Sequence, residues 1–116
     1  MRKPLFSFFI LLLLLLLLIP LLRPRWYLNL TQRVEISPAV GAALVERRGC
    51  RSCHIIGGSG ALKAPNLDDA VKRESEETLR NWLANPRAMR PNTPMPNFHL
   101  SDSEIDAIIA YLHALP

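Results

Sequence analysis

GCRSCH, residues 49–54, holds both cysteines of the chain, Cys50 and Cys53, three positions apart, with His54 directly after the second. Two thiols and an imidazole in so short a stretch call for a chemical reason. Three readings use such a group. A structural zinc site wants four ligands, and only His99 and His113 are left to complete one, with His54 idle beside Cys53. A thiol–disulfide pair belongs after a strand in a βαβ setting, and no strand pattern precedes Cys50. Covalent haem attachment gives every residue a task. The two thiols add across the two vinyl groups of the porphyrin, and His54, held against the ring, offers a nitrogen to the iron.

The rest of the chain sets the frame for that motif. With 116 residues there is room for one small domain, and the start of the chain takes part of the length. From Leu5 to Leu22 the only polar residue is Ser7, and Leu11 to Leu18 are eight consecutive leucines. As a helix this stretch would span about 27 Å, close to the hydrocarbon thickness of a bilayer. Arg2 and Lys3 precede it, and Trp26 and Tyr27 follow where interfacial aromatics sit. Leu22, Arg23, Pro24, Arg25 and Trp26 occupy the place where a signal peptidase needs small residues, so a retained anchor is expected. The expected organisation is an anchor at 1–27, a short tether without clear period at 28–37, and a haem-binding domain at 38–116.

The net charge of +4 belongs to the anchor. Arg2, Lys3, Arg23 and Arg25 account for it, and from Leu28 onward ten basic residues face ten acidic ones. Nucleic-acid binding has no support in that balance. Two charges on each side of the apolar stretch leave the positive-inside rule undecided.

Helix signals dominate after residue 37. Ser37-Pro38 is an N-cap followed by proline at the first helical position, Val40, Leu44 and Val45 give an apolar face, and Gly49 ends the helix before Cys50. GGSGALKAPN, residues 57–66, reads as a glycine-rich loop. Ser75 caps a helix over 76–84 with Leu79, Trp82 and Leu83 on its buried side, and Asn85-Pro86 stops it. A proline-rich loop runs to Leu100. Ser101 and Glu104 then form a capping box, and Ile105, Ile108, Ile109 and Leu112 make one apolar stripe. No strand alternation is visible outside the anchor. The expected fold is all-α: one transmembrane helix, then a small domain of three to five helices around a haem. So small a core usually needs a staple, and the haem would be that staple.

These motifs together resemble the class I mono-haem c-type cytochromes. The resemblance covers about Pro38 to Leu115 and rests on GAALVERRGCRSCH, APNL at 64–67, LRNWLANP at 79–86, TPMPNF at 93–98 and LSDSEIDAIIAYLHAL at 100–115. Order and spacing are similar to the membrane-bound or fused cytochrome domains of terminal oxidases and of the small subunit of nitric oxide reductase. The resemblance implies one covalent haem c on Cys50 and Cys53, His54 as proximal iron ligand, and a Pro65 carbonyl that accepts the His54 N–H. It also implies attachment on the outer side of a bacterial cytoplasmic membrane. Val45 departs from the pattern, because the family usually has an aromatic there, near Tyr111.

The sixth iron ligand has four candidates: Met89, Met95, His99 and His113. A thioether favours ferrous iron and suits a carrier. Met95 lies between Pro94 and Pro96, whose fixed φ angles preset its direction, and Met89 in the same loop is its rival. The resemblance points to Met95. Trp82 and Tyr111 read as aromatics packed on the haem or in the core. Two functions follow. One is single-electron transfer, as a tethered carrier or as a subunit of a respiratory or photosynthetic membrane oxidoreductase, with redox proteins as partners. The other is a haem catalyst or gas sensor, which needs a displaceable sixth ligand. Arg47, Arg48, Arg51, Lys63, Arg87 and Arg90 lie in the segments that frame the haem, and a basic ring there would meet an acidic partner.

Overall fold

The computed structural model describes residues 2–116. Among them, seven α-helices and one two-residue hairpin build a chain of extents 68 × 32 × 23 Å. Helix α1, Arg2–Leu22, is exposed along its length and is long and apolar enough to cross a membrane. Its leucine run favours helix, and Pro20 falls in the last turn, two residues before the helix ends at Leu22.

The stretch that follows α1 is ordered against the domain. After Arg23 and Pro24 the chain enters helix α2, Arg25–Thr31. Leu28 on α2 is 2 % exposed. Arg25 donates through Nε to Asp102 Oδ1 at 2.9 Å and through Nη1 to the Leu100 carbonyl at 3.0 Å. Asn29 is bonded twice to Asp102: Nδ2 donates to its carboxylate at 2.7 Å, and Oδ1 accepts its backbone N–H at 2.8 Å. Ser101 Oγ donates to the Gln32 carbonyl and Ser103 Oγ accepts the Val34 N–H. The whole of 25–34 is thereby fastened to the start of the last helix. No sequence period could report it, because a single buried leucine and partners about seventy residues away do the fastening.

The domain is built on two crossing helices, α3 (Pro38–Arg48) and α7 (Asp102–Ala114). Both start as expected: Ser37 accepts the Val40 N–H, and Ser101 with Glu104 closes a reciprocal capping box. That box is buried, with Ser101 0 % and Glu104 5 % exposed, so its bonds satisfy groups that water cannot reach. The expected stripe Ile105, Ile108, Ile109 and Leu112 meets Leu44 and Val45 in one core with Ile56, Leu79 and Leu100. Gly41 is where the two backbones touch. A Cβ there would lie 1.9 Å from the Ala107 carbonyl oxygen and 2.7 Å from Tyr111 Cβ. Close approach at glycine sets the crossing, and Val45 on the same helix is buried in the core.

Two short helices lie outside the sequence reading. Helix α4, Leu67–Arg73, is capped by Asn66, and α6, Pro86–Met89, is one turn inside the loop expected to be irregular. Helix α5, Glu76–Ala84, starts at its expected cap Ser75. A hairpin of β1 (Ile55–Ile56) and β2 (Ser59–Gly60) lies outside that reading too. Its turn, Gly57-Gly58, has φ of 61° and 73°, the double left-handed conformation of a type I′ two-residue hairpin. Strands of two residues are too short to show alternation.

Candidate haem site

The site begins where α3 ends. Gly49 is left-handed (φ 70°) and turns the chain into a 3₁₀ turn, Cys50–Ser52. The Cys53 and His54 N–H groups both donate to the Cys50 carbonyl, at 3.3 and 3.0 Å, which curls the two thiols and the imidazole into one compact turn. A second loop lies directly on it. Ala61 N–H donates to the Arg51 carbonyl, and Lys63 and Ala64 N–H groups donate to the Cys53 carbonyl. Gly60 permits this approach, since a Cβ there would stand 2.1 Å from the His54 carbonyl oxygen.

Arg51, between the two cysteines, ties the turn to the rest of the molecule. Its guanidinium meets Glu46, the Ile56 carbonyl, the Ser59 carbonyl at 3.2 Å and Tyr111 Oη at 3.0 Å. The Glu46 carboxylate is the main reason its pKa rises further still. Its place in the sequence suggests a surface cation. Nothing in a sequence reveals that a long side chain folds back to brace its own loop.

His54 Nδ1 lies 2.7 Å from the Pro65 carbonyl oxygen. A carbonyl only accepts, so Nδ1 carries the proton and Nε2 keeps its lone pair free for a metal. Cys50 is half-buried and Cys53 exposed, and neither is in a disulfide. Burial is the main cause that pushes the Cys50 thiol above its ordinary value. A thiol–disulfide nucleophile is tuned the other way. His99 and His113 line separate surface cavities, one with Arg23 and one with Glu76, so neither completes a zinc set with the cysteines. Leu67, Val71, Leu83 and Phe98 pack on the core but stay partly uncovered, as does Trp82 on α5. Two thiols, a preset imidazole and uncovered apolar side chains fit a haem. Met95 is half-buried in the extended segment before α7, with its N–H on Thr93 Oγ1 at 3.3 Å. Met89 ends α6 and is 39 % exposed.

Comparison with known proteins decides the family. Residues 38–116 match the family model described as cytochrome c, which is most of the chain. The chain belongs to the cytochrome c family. It is similar to the C subunit of nitric oxide reductase from Paracoccus denitrificans, 33% identical over 89 residues, which is 67% of this chain and 59% of that protein. The corresponding protein of Stutzerimonas stutzeri is 33% identical over 90 residues, covering 71% of this chain and 62% of that one. Cytochrome c oxidase subunit 2 of Alkalihalophilus pseudofirmus is 29% identical over 84 residues, covering 65% of this chain and 25% of that protein. The chain thus spans about three fifths of the length of the two reductase proteins and a quarter of the oxidase protein. As a cytochrome c the domain carries a covalently bound c-type haem, and Cys50 and Cys53 stand in position for its attachment.

Asp68 escapes a reading of the sequence alone. Its carboxylate accepts the N–H groups of Gly57 and Gly58 at 2.7 and 2.9 Å, closing the hairpin turn over the start of α4. An N-cap asparagine followed by two acids in the first turn is a readable helix signal, hidden by the glycine-rich run before it.

Proposed function

We propose that this cytochrome is a membrane-anchored, single-haem electron-transfer subunit of a respiratory oxidoreductase complex. Its haem domain would stand on the outer, periplasmic side of a bacterial cytoplasmic membrane. The observation that carries the reading is the His54–Pro65 hydrogen bond, which fixes the imidazole with Nε2 available as a permanent iron ligand. Haem, when bound, supplies a one-electron iron couple. Cys50 and Cys53 would hold it to the chain, and His54 would offer Nε2 to its iron. Met95 would offer the iron a neutral sulfur, a ligand type that favours the reduced state. Trp82 and the partly uncovered apolar side chains of α4, α5 and the 94–100 segment would shield it from water.

The relatives named above are subunits of oxidoreductases, which supports a place within a complex. The fastening of 25–34 to α7 supports a fixed subunit over a roaming carrier, because only Arg23 and Pro24 separate α1 from α2. Carbon monoxide tests the electron-transfer reading. With both iron positions filled by the protein, the reduced full chain should not bind it within minutes. Rapid binding would mean a displaceable ligand and would favour a sensor or catalyst. Extraction in mild detergent should bring other membrane subunits along with the chain, and a lone chain would return the reading to a carrier.

A further inference from the structure

Where α1 meets the domain there is a second feature, remote from the haem. A cavity of about 210 Å³ is lined by Arg23, Arg25, Leu28, Asn85, Asn97 and His99. The only two non-glycine residues with left-handed φ among those described, Arg23 (48°) and His99 (51°), both line it. Each such conformation costs energy and persists where the surroundings or a function hold it.

The polar groups around the cavity are mostly donors without partners. Arg25 is engaged by Asp102 and the Leu100 carbonyl, so its charge is compensated. The Arg23, Asn85 and His99 side chains make no hydrogen bond or ion pair among the described residues. Asn97 uses only Oδ1, which accepts the His99 N–H at 2.9 Å, leaving Nδ2 to donate. No acidic side chain lines the cavity. It offers one uncompensated cation and several N–H groups, which is the chemistry of an anion site.

Its place in the chain says which anion. Arg23 follows directly on Leu22, the last residue of α1, and so stands where the hydrocarbon of a bilayer would give way to headgroups. On α2, Trp26 and Leu30 are one turn apart and exposed, 54 % and 75 %, while Leu28 on the opposite side is buried. An exposed tryptophan and leucine on that face suit an interfacial helix lying against the membrane.

We propose that this cavity holds the phosphate of an anionic membrane phospholipid, with Arg23 as the charge partner and Asn97 and His99 as further donors. The proposal rests on the anchoring part of the function above. Alkaline carbonate extraction of membranes tests that part alone: release of the chain would remove the anchor and say nothing of the cavity. The cavity is tested on the full-length haem-loaded chain in detergent by native mass spectrometry, with phosphatidylglycerol and phosphatidylcholine added in equal amounts. One phosphatidylglycerol should be retained in preference to phosphatidylcholine. Arg23→Gln should lower that retention about tenfold, the scale of one charged hydrogen bond, with the haem absorption unchanged. Asn97→Ala, outside the anchor, should lower it too and covers the case in which Arg23→Gln disturbs insertion. Equal retention of the two lipids, or retention indifferent to both substitutions, overturns the proposal. Inorganic phosphate is the third arm. If it displaces phosphatidylglycerol at submillimolar concentration, the site is for a soluble anion and the lipid assignment fails.

Discussion

At the scale of single residues, two side chains make assignments that can be checked directly. If Met95 ligates the iron opposite His54, the oxidised protein has the weak charge-transfer absorption of a sulfur ligand. Met95→Ala should remove that band and Met89→Ala should leave it; the reverse pattern would give the ligation to Met89. Asp68 makes the second. The Gly57 and Gly58 N–H groups hold its carboxyl below the ordinary value of 3.8. A carboxyl whose pKa is lower folded than unfolded contributes stability above the unfolded value and loses it as pH falls through the folded one. Thermal midpoints should therefore drop more steeply below about pH 4 in the wild type than in Asp68→Asn. The gap between the two should be widest near neutrality and close in acid; parallel curves would show that the carboxylate's charge is immaterial to the turn.

At the scale of elements, Gly41 governs how α3 sits on α7. Since a Cβ there would overlap the Ala107 carbonyl oxygen, Gly41→Ala must push the helices apart. A cost of about 1–3 kcal/mol is expected from overpacking, despite the better helix propensity of alanine. Denaturant unfolding, with the exposed Ala43→Gly as a control that should cost about 1 kcal/mol by propensity alone, measures it. A neutral Gly41→Ala would mean that the crossing has slack. This crossing also marks the limit of what the sequence discloses. Caps are local, so Ser37, Ser75 and Ser101 with Glu104 announce three helices, and GCRSCH announces its cofactor. The close approach at Gly41, the bracing by Arg51 and the docking of α2 each depend on a partner far along the chain. Helix α4 and the Gly57-Gly58 turn carry local signals, but elements this short show no period to confirm them.

At the scale of the whole molecule, charge and mounting decide whom the haem meets. Of the six basic residues expected to ring it, Arg51 is held by Glu46 and its own loop, and Arg48 reaches Glu104 at 3.5 Å. Arg47, Lys63, Arg87 and Arg90 remain exposed. If they steer an acidic electron donor, the bimolecular rate should fall as ionic strength rises from 0.01 to 0.15 M, where the screening length shrinks from about 30 to 8 Å. Arg87→Glu should lower it further at low salt, whereas Arg48→Glu should act chiefly on stability. Stopped-flow rates indifferent to salt would remove the steering idea. The two-residue join between α1 and α2 has a last consequence. Once α1 is seated in a bilayer, a domain fastened so closely to it explores a sheet and not a volume, and with one face always turned the same way. For a neighbour in that membrane, much of the orientational search is over before any collision, and exchange between them is governed by surface density and is indifferent to dilution of the surrounding water.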